Sequence, residues 1–265
     1  MVRYQVILAY DGTQFEGFQI QGKRARTVQG VVEDALRQIG WQGQSVLAAG
    51  RTDSGVHASG QVVAFDLDWK HSTDALQQAL NANLPTDVAV QMARPAPAEF
   101  HPRFDAISRR YQYTILCQSA RNPLRERFAW RMWPPLDVNL LRQAARMLVG
   151  RHDFAAFGTP PRPGGNTVRT VKLADWLEAA DGLIFCIAAD AFLYHMVRRM
   201  VYVQVAAAQG RMELRVISQS LQSSLGGPPA FSPGLAPAQG LALTDVEYLP
   251  DLRSPRISLE VHESE

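Results

Sequence analysis

Residues 46–65 read VLAAGRTDSGVHASGQVVAF, two apolar runs on either side of a short polar turn. Apolar runs bounded by turn residues predict strands, so VLAAG and QVVAFDLD are read as a pair flanking RTDSG. Upstream, TVQGVVEDALRQIG predicts a helix capped by Thr27 and ending near Gly40. Before it, RYQVILAY (3–10) predicts a strand that stops at Asp11-Gly12. Downstream, Asp68 to Ser72 leads into a second helix, STDALQQALNANL, stopped by Pro85, and VAVQMA follows as a strand. The order β-α-β-β-α-β is that of a split βαβ unit, with helices on one side of an antiparallel sheet.

After a Pro-rich, polar stretch at 95–107, read as a linker, the pattern roughly repeats. RRYQYTIL is a strand, and VNLLRQAARMLVG is a helix closed by Gly150. VKLADWLEAA and LIFCIAAD are strands separated by Asp181-Gly182. DAFLYHMVRRMVYVQVAAAQG reads as one long helix, RVISQSLQSSL as another, and LALTDVEYL as a closing strand. The expectation is an α+β protein of two similar halves, 1–104 and 105–265, with antiparallel sheets combined around a central cleft. Two irregular segments, FGTPPRPGGN (157–166) and GGPPAFSPGLAPAQG (226–240), suit either the border of a site or plain connectors.

The chain has 265 residues, 46% hydrophobic and 20% charged, the composition of a globular protein. No apolar run is long enough for a membrane span, and MVRYQVILAYDG lacks the pattern of a signal peptide. Cys117 and Cys186 form no spaced framework, so a cytoplasmic, disulfide-free protein is expected. A net charge of +2 says little about partners, but all of the 27 basic residues except Lys23, Lys70 and Lys172 are Arg. Between Arg94 and Arg131, eight Arg face three acids, and Phe100, Phe104, Tyr111, Tyr113, Phe128 and Trp130 are interleaved. That mixture suits phosphate contact and base stacking; a solvated, Arg-rich connector is the other reading. GxxxxGK[ST], HExxH and GxSxG are all absent, and neither Cys stands in a ligand-spaced pair. No cofactor and no metal are therefore expected.

Three residues invite chemistry. Asp53 lies in RTDSG with Arg51, Ser54 and His57 close by. Asp, Ser and Gly are ordinary turn residues, yet a carboxylate in a loop anchored at both ends can be a nucleophile, a base or an electrostatic stabiliser. Tyr111 shares a strand face with Arg109 and Tyr113 and reads either as core or as a platform for a base. Arg198 sits in the apolar helix FLYHMVRRMVYVQV. There it needs a carboxylate or an aqueous cleft, and Asp53 is one candidate partner. His195, one turn earlier, reads as a packing or hydrogen-bonding residue rather than a catalyst.

These residues stand in segments that resemble the tRNA pseudouridine synthase A family: YDGTQFEGFQIQ (10–21), GRTDSGVHASGQVVAF (50–65), ALNANLPTDV (79–88), FHPRFDAISRRYQYTI (100–115), GRHDFAAF (150–157), NTVRTV (166–171), FLYHMVRRM (192–200) and PAQGLALTDVEY (237–248). The resemblance spans almost the whole chain in order. It implies two ferredoxin-like halves around a cleft, a homodimer, and tRNA as partner. It also implies isomerisation of uridines at positions 38, 39 and 40 of the anticodon stem-loop, with no cofactor or metal. Carried over residue by residue, Asp53 is the catalytic carboxylate. Tyr111 stacks on the base and aids late proton transfer from C5, and Arg198 orients Asp53. Arg51, Arg109, Arg110, His57 and Gln61 are expected to contact RNA. The chain departs from the family pattern at Phe18 (usually Trp) and at Ser54 (usually Ala). It also departs at Arg199 and Tyr202 (usually Asn and Gly) and in the 226–240 loop. Three rivals stay open: an RNA-binding module without catalysis; a glycosidase or hydrolase, which would need a second carboxylic acid near Asp53; and a structural α/β protein with no chemistry, with Asp53 in a plain turn far from Tyr111 and Arg198.

Overall fold

The computed structural model describes residues 1–22, 25–222, 231 and 234–250. Its strands are β1 (Val2–Tyr10), β2 (Leu47–Ala48), β3 (His57–Leu67), β4 (Val88–Ala96), β5 (Ser108–Cys117), β6 (Trp130–Met132), β7 (Gly150–Asp153), β8 (Val168–Ala179), β9 (Gly182–Ala189) and β10 (Leu241–Glu247). Its α-helices are α1 (Val28–Gln38), α2 (Thr73–Asn83), α3 (Val138–Leu148), α4 (Met196–Ala208) and α5 (Arg215–Gln222). The strands join in one sheet of order β4-β1-β3-β10-β5-β9-β8-β7, with β2 beside β3 and β6 beside β5. The α+β expectation holds. The expectation of two antiparallel sheets is refined, because the halves share a single mixed sheet through a parallel pairing of β10 with β3.

That junction has a local cause. Strand β2 pairs only with Val63 and Ala64 of β3, which leaves the start of the same edge free. There β10 pairs with His57 and Ala58. Between the two stretches stands Gly60, where a Cβ would lie 2.2 Å from the Thr244 carbonyl oxygen. The backbone of β10 can come this close only because no side chain intervenes.

The helices start where their caps direct. Thr27 Oγ1 accepts from the Gly30 N–H, Ser72 Oγ from Ala75, and Asp137 Oδ1 from Asn139 and Leu140. Apolar side chains of α3 and α4 pack on the second half of the sheet, where Tyr113, Phe185 and Trp176 are buried. Trp176 Nε1 donates to buried Gln204 Oε1 of α4 at 2.8 Å, so this polar pair is satisfied inside the core.

Two boundaries differ from the sequence expectation. Strand β4 runs through Pro95 to Ala96, so the linker starts later. Because β4 is the sheet's edge strand, the missing proline N–H breaks no ladder on its outer side. The long helix expected from Asp190 starts only at Met196. His195 adopts a left-handed φ of 65°, rare outside glycine. Tyr194 instead pairs with Thr159 of the 157–166 segment through two backbone hydrogen bonds. Of the 226–240 segment, residues 226–230, 232 and 233 lie outside the described residues. No helix among the described residues is long and apolar enough to cross a membrane.

Candidate active site

The RTDSG turn is pinned from below by residues 10–18. The Phe18 N–H donates to the Thr52 carbonyl at 3.0 Å, and the Gly55 N–H donates to that of Phe15 at 3.2 Å. Ser54 Oγ also donates to the Phe15 carbonyl, and the Tyr10 hydroxyl lies 2.8 Å from Thr52 Oγ1. Gly17, at φ 99°, lets this segment close on the turn; a Cβ there would already sit 3.0 Å from the Thr52 oxygen. The bonds that shape the turn come from its backbone and its hydroxyls, so the Asp53 carboxylate is not used to build it.

That carboxylate meets α4 instead. Asp53 Oδ2 accepts from Arg198 Nη1 at 3.1 Å and lies 3.6 Å from His195 Nε2. Oδ1 makes no hydrogen bond or ion pair among the described residues. The ion pair is partly enclosed, with the two side chains 18% and 15% exposed. Arg198 is fixed in turn, because its Nε donates to the Ala236 carbonyl at 2.8 Å and its own carbonyl accepts from the Ala236 N–H. The Tyr113 hydroxyl donates to the neighbouring Pro237 carbonyl at 2.9 Å. The end of the atypical 226–240 loop therefore holds the arginine in place.

Tyr111 projects from β5, with Phe192 edge-on at 5.1 Å between ring centroids. Its hydroxyl makes no hydrogen bond among the described residues. Burial, reinforced by Tyr10 and Asp53, pushes its phenol above the ordinary tyrosine value, so it stays protonated at neutral pH. His195 is the functional candidate that sequence reasoning passed over. Its imidazole stacks on Tyr194 at 3.7 Å, and burial above all holds it below the ordinary histidine value. At neutral pH it faces Asp53 as an uncharged ring. The one available signal was its helical spacing to Arg198, and the left-handed backbone that aims the ring has no signature in a non-glycine residue.

The expected RNA contacts separate into two groups. Arg51 is exposed and has no partner among the described residues. Arg110 is also exposed, but strand alternation sets it on the sheet face opposite Tyr111. Arg109, His57 and Gln61 are buried. Arg109 donates to the carbonyls of Ala49, Arg103, Ala106 and Asp190. Gln61 Nε2 donates to the Gly50 carbonyl at 3.0 Å. Together they brace the entry to the RTDSG turn. His57 Nδ1 accepts from the Gly12 N–H at 3.0 Å, with Asp11 Oδ1 at 3.2 Å, and its ring faces Phe128. Among the described residues no cluster of three or more His, Cys, Asp or Glu could hold a metal ion.

Both His57 and His195 are held below the ordinary histidine value, chiefly by burial. The unfolded chain then binds protons at a higher pH than the folded one. Stability contributed by keeping these rings neutral is present above ~6.5 and declines as pH falls through the lowered folded values. Thermal melts at pH 7.5 and 5.5 should show the drop, and His57→Gln should shrink it; an unchanged melting point across that range contradicts the assignment.

The profile of a family described as tRNA pseudouridine synthase matches residues 6–105 and 144–249. The tRNA pseudouridine synthase A of Methylacidiphilum infernorum is 40% identical over 255 residues, covering 96% of this chain and 98% of its own length. That of Neisseria meningitidis serogroup B is 38% identical over 248 residues, covering 93% and 92%. That of Pseudothermotoga lettingae is 39% identical over 251 residues, covering 94% and 100%. Matches of this extent, running through the Asp53 turn, β5 and α4, place the chain in the tRNA pseudouridine synthase A family.

Proposed function

We propose that the protein isomerises uridine to pseudouridine in tRNA, at positions 38, 39 and 40 of the anticodon stem-loop, with Asp53 as the catalytic carboxylate. One observation carries this reading. Asp53 has one oxygen fixed by Arg198 while the other has no partner among the described residues, in a turn that does not need the carboxylate for its own shape.

The chemistry follows from that arrangement. Pseudouridylation breaks the N1–C1′ bond, turns the uracil, and joins C5 to C1′. Two routes use the free Asp53 oxygen: it attacks C1′ as the N1–C1′ bond breaks and the bonding pair leaves with the uracil, as in a retaining glycosidase, or it takes the C2′ proton as that bond breaks, giving a glycal. C5 of the rotated base then bonds to C1′, expelling the carboxylate on the first route and returning the proton from Asp53 to C2′ on the second. The hydrogen left on C5 departs as a proton and N1 gains one. The freed Asp53 carboxylate is the nearest suitable acceptor for the C5 proton. Tyr111, kept protonated by its burial, supports the base with its ring and can donate to it, but is a poor base itself. Arg198 keeps the attacking carboxylate oriented. Every step uses groups of the protein and the nucleotide, with no cofactor or metal. Arg51 is suited to hold a phosphate of the flipped-out nucleotide, and Arg109, Gln61 and His57 act as supports behind the turn.

The same reading takes residues 1–104 and 105–265 as two ferredoxin-like halves. The strand order β10-β5-β9-β8 supports it, because it repeats the first half's β4-β1-β3 with β2 alongside. A cytoplasmic homodimer accompanies the reading.

Incubation with unmodified tRNA transcript should convert uridines without a change in mass, and carbodiimide labelling with primer extension should map them to positions 38–40. Binding without conversion would mark a recognition module, and release of free uracil would mark a hydrolase.

A further inference from the structure

The start of α4 carries more than the catalytic reading uses. Tyr194 is 59% exposed although it is a large aromatic residue. It stacks on His195 with ring centroids 3.7 Å apart and an interplanar angle of 27°. His195 in turn lies 3.6 Å from Asp53. One helical turn on, Arg199 is half-buried, and its Nε is buried with no hydrogen-bond partner among the described residues. Among the described residues no carboxylate pairs with it, and its backbone N–H donates to the His195 carbonyl at 3.0 Å, which sets it one turn along the helix from that residue.

Each feature is unfavourable in the free protein. A half-buried guanidinium without an anion loses hydration for no return, and a stacked aromatic pair leaves one flat face to water. Both are resolved by one kind of ligand, a nucleotide with its base on Tyr194 and its phosphate against Arg199. The position narrows which nucleotide. The cluster abuts Asp53 through His195, so it lies beside the reacting ribose rather than under its base, a place that Tyr111 already takes. We propose that Tyr194, His195 and Arg199 form a subsite for the nucleotide next to the reactive uridine, with Tyr194 as its stacking face and Arg199 as its phosphate contact. The proposal rests on the tRNA-modifying reading above.

The test measures the dissociation constant of an unmodified anticodon stem-loop RNA as a function of salt, together with turnover of tRNA. Tyr194→Ala should weaken binding by about 5- to 150-fold, the range for removing one stacked base contact, and Tyr194→Phe should bind as wild type. With an abasic residue on the correct side of the target uridine, the Tyr194→Ala penalty should vanish, as a double-mutant cycle requires of a direct contact. Arg199→Gln should weaken binding and flatten the slope of log affinity against log salt by ~0.7 to 0.9, the loss of one phosphate contact, and Arg199→Lys should restore both. Melting curves check folding; the Tyr194 side chain is exposed and its backbone pairing with Thr159 survives truncation.

Wild-type affinity in Tyr194→Ala, a penalty that persists with both neighbouring abasic RNAs, or an unchanged salt slope in Arg199→Gln would each overturn the subsite. A turnover defect with unchanged affinity would do the same. Failure of the broader reading looks different: wild-type protein would bind the RNA and isomerise nothing, while the variant effects on binding remained.

Discussion

Asp53→Asn is expected to abolish tritium release from [5-³H]uridine-labelled tRNA, a loss of at least ~10³-fold, while binding of the RNA persists. Asn matches Asp in size, and the turn is held by the Thr52, Ser54 and Gly55 bonds to residues 10–18, so the fold should survive. What disappears is the oxygen that has no partner among the described residues and that the proposed mechanism uses on the ribose. An amide oxygen is a weak nucleophile, and it leaves Arg198 without a counter-charge. Substantial release by a correctly folded variant would remove Asp53 from the mechanism.

Gly60→Ala is expected to damage the whole molecule rather than the chemistry. A Cβ at this position would meet the Thr244 carbonyl oxygen at 2.2 Å and its carbon at 2.6 Å, both backbone atoms of β10, whose flanking residues Leu243 and Asp245 are paired with β5. Neither can swing aside as a flexible side chain could, so β10 must shift away from β3. A cost of about 3–5 kcal/mol is in line with severe overpacking, and corresponds to a fall in melting temperature of about 6–20 °C for a chain of this size. Gly50→Ala is the control, because a Cβ there meets nothing within 4 Å. If the two variants melt together, the close approach of β10 is not what limits this junction.

Much of this architecture is legible in the amino-acid sequence where it depends on neighbours along the chain. The caps at Thr27 and Ser72 and the strands around RTDSG are of this kind. The pairing of Arg198 with Asp53 could also be anticipated, because a cation in an apolar helix must find an anion. The β3–β10 junction could not be read, since two paired residues and one glycine leave no periodic pattern. The buried roles of Arg109 and Gln61 were equally hidden, because a polar side chain reads the same whether its donors meet water or carbonyl oxygens. Tyr202 makes the same point from the opposite side. It stands where the family pattern has glycine, and a Cβ on Gly234 would fall 2.2 Å from its ring. The bulky residue and the altered loop thus fit each other, though each alone reads as a defect.

The bonds from Ala236 to Arg198 and from Pro237 to Tyr113 bear on how the protein comes into being on the ribosome. The RTDSG turn is translated early and the helix carrying Arg198 much later, but the peptide groups that fix that helix's arginine come just before β10. A nascent chain can therefore fold its first four-stranded unit while it still lacks a working site, and the start of β3 keeps an open edge until β10 emerges. Competence for RNA modification arrives only with the closing strand, so that chains released before it should be inert and prone to associate through that edge.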